Sequence, residues 1–353
     1  MSITSTRQDR LTYQVFYRRA LVQTEIQPSA VLDLHFQLSS AKQNICAAVS
    51  STASLAIFSF SPETGTQKPL SLLRTVRIPT VGEEILFLSF AWHPYMQDVV
   101  AVTTSTGQVQ LLRLGAGYDT CAMTSDPVLT HSLETWCVAF IQSVELRPPQ
   151  GSNGDEEHEQ PFTLLSGGDD STLRYAACMM RPALDATELN LTVEIPYPVA
   201  KMGGHDAGVT AILPLELTTG TSELVVTGSY DDHIRLFAIE PLQNSNGIRR
   251  TRKLAEQNLG GGVWRLKLID TTTSVDGWRA TILASCMHAG TRIVEITSKS
   301  ADDYYFEVLG RFEEHKSMNY GSDVQPGKAD TLRCISTSFY DKLLCLWEFR
   351  AST

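Results

Sequence analysis

A short hairpin recurs along this chain and limits what it can fold into. LLSGGDDSTLRYA, from Leu164, and VVTGSYDDHIRLFA, from Val225, share an apolar run, a Ser/Thr-Gly pair, an Asp-bearing turn and an alternating strand. CISTSFYDKLLCLWEF, from Cys334, is a third copy. CAAVSSTASLAIFSF (from Cys46), VAVTTSTGQVQLLRL (from Val100) and ILASCMHAGTRIVEI (from Ile282) are weaker ones. One turn position is filled in the six copies by Thr52, Thr106, Asp170, Asp231, His288 and Asp341. Such hairpins cannot bury their apolar faces alone, so the copies must stack as sheets.

Copies lie 53 to 64 residues apart, more than the ~40–45 of a typical four-stranded repeat, and loops account for the excess. The segment 148–161, PPQGSNGDEEHEQP, is acidic and glycine-rich and reads as a flexible insertion loop. Further strand-like runs, Leu72–Ile78, Ile85–Phe90 and Val263–Leu268, bring each repeat towards four strands. No segment keeps a 3.6-residue apolar period, so little helix is expected.

These features resemble WD40 repeats and predict an all-β, WD40-type β-propeller occupying residues 1–353 as a single domain. Six blades are readable, with a seventh, degenerate one still open between Leu114 and Phe162. The last copy stops at Phe349 after its third strand, and the N-terminal stretch from Tyr13 to Ile26 is expected to supply the missing outer strand and close the ring. His205 and His315 each lie 32 residues before an aromatic, Phe237 and Trp347. The WD40 pattern then implies buried hydrogen-bonded sets, His205 with Thr227 and Asp231, and His315 with Thr337, Asp341 and Trp347. A buried carboxylate requires such partners.

The net charge of -10 argues against nucleic acid as the main partner, because phosphate contacts need clustered Lys and Arg. Seven cysteines without CxxC or Cys/His ligand spacing point to free thiols, no metal and a cytoplasmic location. The longest apolar run, Ile85–Trp92, is far too short to span a bilayer, and the N-terminus lacks the apolar core of a signal peptide. A monomer is expected.

The fifth hairpin breaks the repeat's own rule. Its turn carries His288 in place of Asp, and Gly260-Gly261-Gly262 precedes its inner strand with no His. Strand alternation sets Cys286 and His288 on one face, and Trp264 and Arg265 are expected on the same rim. Departures from a repeat's pattern are where function is sought, although a strand-end Cys is often a small buried hydrophobe and a turn His is often only solvated.

Three strings go beyond the generic repeat: SGGDD with TGSYDDHIRLF, GGGVWRLK followed by SCMHAG, and EEHKSMNYGSD with STSFYDKLLCLWEF. Together they resemble the diphthine methylesterase family (also named diphthine methyltransferase), WD-repeat proteins of diphthamide biosynthesis. The likeness is strong over Ser166–Phe349 and only in pattern over Met1–Gln160. It implies a carboxylic ester hydrolase, without a cofactor, that removes the methyl ester from methylated diphthine on translation elongation factor 2, ahead of amidation. A non-catalytic WD-repeat scaffold is the alternative.

Ester hydrolysis needs an activated nucleophile, a proton shuttle and oxyanion donors. No GxSxG elbow occurs. His288 is the first candidate base, with Cys286 as nucleophile or bystander and Asp231 or Asp232 orienting the ring. His315, with Ser317 and Asp323 beside it, is the second. Backbone N–H groups of Gly260–Gly262 are candidate oxyanion donors. The implied substrate carries a quaternary ammonium, which favours aromatic faces and carboxylates. Trp264, Tyr230, Tyr320 and Tyr340, with Asp170, Asp231, Asp232, Asp341 and Asp323, are the candidate binding set, and Arg265 joins them.

Overall fold

The computed structural model describes residues 3–5, 13–16, 23–37, 42, 44–61, 68–78, 81–141, 160–181, 189, 191–240, 251–275, 277–300, 303–327 and 331–350. Among them there is no α-helix, and none long and apolar enough to cross a membrane. The chain opens with β1 (Ile3–Ser5) and β2 (Tyr13–Phe16) and then runs through six sheets. The first is β3 (Val31–Phe36), β4 (Ile45–Ser50), β5 (Ser54–Phe60) and β6 (Leu70–Arg77). The second is β7 (Phe87–Trp92), β8 (Val99–Thr104) and β9 (Gln108–Leu114), with β10 (Cys121–Met123) and β11 (Leu129–Thr130) both paired to β9. The third is β12 (Thr135–Ile141), β13 (Gln160–Gly168) and β14 (Leu173–Arg181), with β15 (Thr192–Glu194) and β16 (Ala200–Met202) both on β14.

The fourth sheet is β17 (Val209–Thr219), β18 (Ser222–Ser229), β19 (His233–Ile239) and β20 (Thr251–Asn258). The fifth is β21 (Arg265–Ser274), β22 (Gly277–Ser285), β23 (Thr291–Ser300) and β24 (Asp303–Phe312). The sixth is β25 (Asn319–Val324), β26 (Thr331–Ser338) and β27 (Leu344–Arg350), completed by β2 and β1. Each sheet is an antiparallel blade, and the six make the all-β architecture of a β-propeller. The stretch between Leu114 and Phe162 supplies the outer strands of the second blade and the inner strands of the third, so its described residues hold no seventh blade. Residues 148–159 of the expected loop lie outside the described residues, and Gln160 and Pro161 open β13.

Two compact units divide the chain. One holds the first three blades (Leu21–Gly203); the other holds the last three together with the N-terminal strands. Within the second unit, β2 pairs with β27 in the register Gln14 to Glu348 and Phe16 to Leu346, so the N-terminus supplies the outer strand that Phe349 leaves missing.

Alternation along each strand sends one set of side chains into the layer between neighbouring blades. Leu224, Val226, Ile234 and Leu236 of the fourth blade meet Ala280, Ile282, Val294 and Ile296 of the fifth in one fully buried cluster. Leu283, Ile293 and Phe312 pass on to Cys334, Trp347 and Phe349 of the sixth. Each such Leu, Ile or Phe contributes about 1.5–3 kcal/mol on burial.

A shared backbone device sets the hairpin turns. In five of the six, the residue after the aligned turn position is left-handed: Ala53 (φ 45), Gly107 (φ 81), Ser171 (φ 58), Asp232 (φ 68) and Lys342 (φ 51). In the fifth hairpin the left-handed residue comes before that position, at Met287 (φ 40), with Gly290 (φ 77) closing the turn. The departure first seen in the sequence is therefore a departure in backbone geometry too.

Candidate functional site

The buried sets of the regular blades explain most of the acidic and histidine candidates. In the fourth blade His205 Nε2 lies 2.9 Å from Thr227 Oγ1. Asp231 accepts from Arg235 Nη1 (2.9 Å) and from the Asp206 and His233 amides (2.8 and 3.1 Å). Burial alone would raise the Asp231 pKa, yet these bonds outweigh it and hold the carboxyl at about 2. Burial, reinforced by Arg235, lowers His205 to about 4, so its ring is neutral. Asp231 is an anchor for its own loop, and among the described residues no bond joins it to His288, contrary to the orienting role expected of it.

In the sixth blade His315 Nε2 meets Ser336 Oγ at 2.7 Å, and the Trp347 indole donates to the same oxygen at 3.1 Å. The expected hydroxyl, Thr337, instead donates to the Gly321 carbonyl. The cause is turn length. Thr337 pairs with Leu344 where Gly228 pairs with Ile234, leaving one more residue in the last hairpin and moving the partner hydroxyl back by one. Asp341 is bound by Ser317, Ser338 and the Lys316 amide, which hold its carboxyl well below the usual range. Its contacts therefore tie the loop, and not the His315 ring. Burial lowers the His315 pKa, and its Nε2 is taken up by the Ser336 hydroxyl that Trp347 shares, as in the buried sets of the other blades.

Asp170 lies in the unit of the first three blades and forms a fuller set. It bonds His131 Nδ1 (2.9 Å), Thr172 Oγ1 (2.6 Å) and Arg174, while His131 Nε2 meets Ser166 Oγ at 2.8 Å. Burial opposes ionisation here, but the bonds from Thr172, His131 and Ser132 keep Asp170 well below the usual carboxylate range. With a side chain only 6% exposed it is a structural acid and not part of a substrate-binding rim. The sequence spacing concealed His131, because the long connection between β12 and β13 stretches its distance from the turn.

The fifth blade has no such set. β22 ends at Ser285, and Cys286 is fully buried in the apolar cluster, its thiol pushed up to about 12 by burial. Met287, in the left-handed region, reverses the chain, and His288 emerges exposed. Strand alternation therefore does not continue past Ser285, and Cys286 and His288 do not share a face. A buried, protonated thiol is no nucleophile; Cys286 is the bystander. His288 has no hydrogen bond or ion pair among the described residues. Four residues on, Arg292 is 5% exposed and bonds Glu313 (2.9 Å), whereas Arg174 and Arg235 at the same place bond their turn aspartates.

The triglycine segment packs directly on this turn. A Cβ on Gly261 would collide with the Cys286 carbonyl oxygen, and one on Gly262 would lie 2.6 Å from Met287 Sδ. Close approach of two backbones is thus one reason for the glycines.

Beside the turn runs an aromatic arc within one unit. Tyr230 stands 5.7 Å from Trp264, Trp264 5.0 Å from Tyr320, Tyr320 6.0 Å from Phe339, and Phe339 5.1 Å from Tyr340. The Arg265 guanidinium lies 5.4 Å from the Trp264 ring. Phe339 and Tyr340 are 63% and 71% exposed. Phe339, absent from the sequence candidates, completes the arc and borders a groove of about 330 Å³ with Tyr320, Thr337 and Leu344. Asp323 lies outside this arrangement in an exposed pair with Lys267 at 3.5 Å. Among the described residues no cluster of His, Cys, Asp or Glu has the form of a metal site.

No protein-family model matches the chain. A fission-yeast (Schizosaccharomyces pombe) protein named diphthine methyltransferase is 27% identical over 280 residues, 74% of this chain and 78% of that protein. The Saccharomyces cerevisiae protein of that name is 33% identical over 62% of this chain and 49% of its own length, and the mouse one 27% over 62% and 36%. The chain is thus similar to proteins named diphthine methyltransferase from yeasts and mouse. It spans about half of the budding-yeast protein and little over a third of the mouse one. A chain of the mitotic checkpoint complex crystal structure matches 98% of this chain and 82% of its own, with a TM-score of 0.55 at 13% identity, a likeness of fold alone. The hairpin that departs from the repeat lies beside the aromatic arc.

Proposed function

We propose that this chain hydrolyses the methyl ester of methylated diphthine on translation elongation factor 2, a step of diphthamide biosynthesis that precedes amidation. The observation that carries the reading is His288, an exposed imidazole on a reversed turn where the third, fourth and sixth blades place a bound aspartate. Its relatives bear the name diphthine methyltransferase. In this scheme His288 takes a proton from water as the water adds to the ester carbonyl. The tetrahedral intermediate then expels methoxide, which takes the proton back from the imidazolium, giving methanol and a carboxylic acid that ionises. Arg265, beside Trp264, supplies positive charge for the developing oxyanion. The aromatic arc from Tyr230 to Tyr340 receives the trimethylammonium group. The setting proposed is the cytoplasm, in keeping with seven free thiols.

Hydrolysis and methyl transfer, the reaction in the relatives' name, separate in one assay. Purified protein is mixed with elongation factor 2 bearing the methylated intermediate, with and without S-adenosylmethionine. The proposal expects methanol and loss of one CH2 in mass without the donor. A mass gain that needs the donor supports transfer, and association with no change in mass supports a scaffold; either overturns the proposal.

A further inference from the structure

Asn319 is fully buried, yet its polar atoms are used to the last. Its amide nitrogen Nδ2 donates to the Thr337 and Gly321 carbonyls (2.7 and 3.1 Å), and its Oδ1 accepts from Thr291 Oγ1 (3.1 Å) and Ser322 Oγ (3.2 Å). Ser285 Oγ extends the network to Ser322 at 2.9 Å. The backbone of Asn319 also donates to the Met287 carbonyl at 3.0 Å, an isolated antiparallel bridge from the sixth blade to the reversed turn of the fifth. Met287 precedes His288, and Tyr320 follows Asn319. One side chain therefore fixes the strand that carries an aromatic of the arc while its backbone holds the turn that carries the free imidazole.

Tyr230 N bonds Gly208 O and Phe339 N bonds Met318 O within their own blades, while the fourth hairpin also accepts a bond from the next blade, Val263 N to Ser229 O. The His288 turn has no buried aspartate to brace it, so the bond from the next blade, Asn319 N to Met287 O, carries more of the load. A buried amide whose four bonds are all made is a stiff support, since each lost partner leaves a desolvated group unpaired.

We infer that Asn319 is a positioning residue, which holds the His288 turn against Tyr320 for the reaction proposed above. The inference rests on that esterase reading only for its catalytic half. Three proteins test it: Asn319→Ala, His288→Ala and the double variant, each followed by turnover of the methylated elongation factor and by hydrogen exchange. Asn319→Ala is expected to speed amide exchange over residues 286–290 while leaving residues 229–233 of the fourth blade unchanged. It should lower kcat by roughly 10- to 100-fold with little change in KM, as misplacement of a reacting group does. In the His288→Ala background the same change should cost less than about 2-fold, because the two act as one unit.

Unchanged exchange at 286–290 overturns the inference, and so does a loss of kcat that simply multiplies in the double variant. Should the wild type itself show no turnover, the esterase reading fails, and the exchange result alone decides whether Asn319 holds the turn. If Asn319→Ala does not fold, Thr291→Val and Ser322→Ala, which each remove one bond to it, carry the same comparison.

Discussion

Trp264 and Tyr320 pack with ring centroids 5.0 Å apart, joining the entry to β21 in the fifth blade to β25 in the sixth. Arg265 and Tyr230 also lie against Trp264, so Trp264 is the hub of the arc while Tyr320, Phe339 and Tyr340 offer its open end. A cation held against one aromatic face gains about 0.5–2 kcal/mol, or roughly 2- to 30-fold in affinity. Tyr340→Ala is expected to raise KM for the modified elongation factor within that range and to leave kcat nearly unchanged. Steady-state kinetics reads the split. A fall in kcat with constant KM would remove Tyr340 from binding.

Ser336 and Thr337 exchange the roles that spacing assigns them, and stability measures which one matters. Ser336→Ala removes the partner shared by His315 Nε2 and the Trp347 indole. Leaving buried polar atoms unpaired costs about 1–3 kcal/mol. Thr337→Ala, at an exposed position, should fall within about 0.5 kcal/mol of the wild type. Urea denaturation of both variants decides between them.

The propeller was legible because a hairpin of apolar run, small-residue pair and bound turn is a local pattern, and six copies of it announce six blades. The partner of β27 was legible from arithmetic, since a blade that ends after three strands needs a fourth. The site was less so. Counting alternate residues set Cys286 and His288 together, but the left-handed Met287 ends the strand periodicity between them. Fixed spacing chose Thr337, one residue from the true partner, because the last turn is longer. His131, Phe339 and Asn319 depend on contacts between segments distant in sequence, which no local pattern states.

Cys286 should be inert. Its thiol is fully buried and held protonated, with a pKa of about 12. Iodoacetamide is expected to leave it unmodified in the native protein and to modify it in urea, as peptide mass mapping reports. Cys286→Ala should keep turnover, and loss of turnover with the fold intact would return the thiol to the mechanism.

Acid should destabilise the fold before the carboxylates titrate. His205 titrates near 6.5 when unfolded and at about 4 when folded. Between these values the unfolded chain binds a proton that the native state refuses, so stability falls as pH drops through that window. Burial shifts His131 and His315 the same way, and Asp231, lowered to about 2, adds a further loss below its usual 3.8. The urea midpoint is expected to decline from about pH 6.5 downward, and a flat profile down to pH 4 would contradict the burial of these rings.

His288 is proposed to activate water on the ester carbonyl. The most direct measurement is a single turnover of the methylated elongation factor in oxygen-18 water, comparing the wild type with His288→Ala. With the wild type, one labelled oxygen is predicted in the freed carboxylate and none in the methanol. His288→Ala should lose about 10²–10⁴-fold in rate while its melting temperature stays near the wild-type value, as expected for an exposed residue. Label in the methanol, or a folded His288→Ala that turns over at the wild-type rate, would contradict the account.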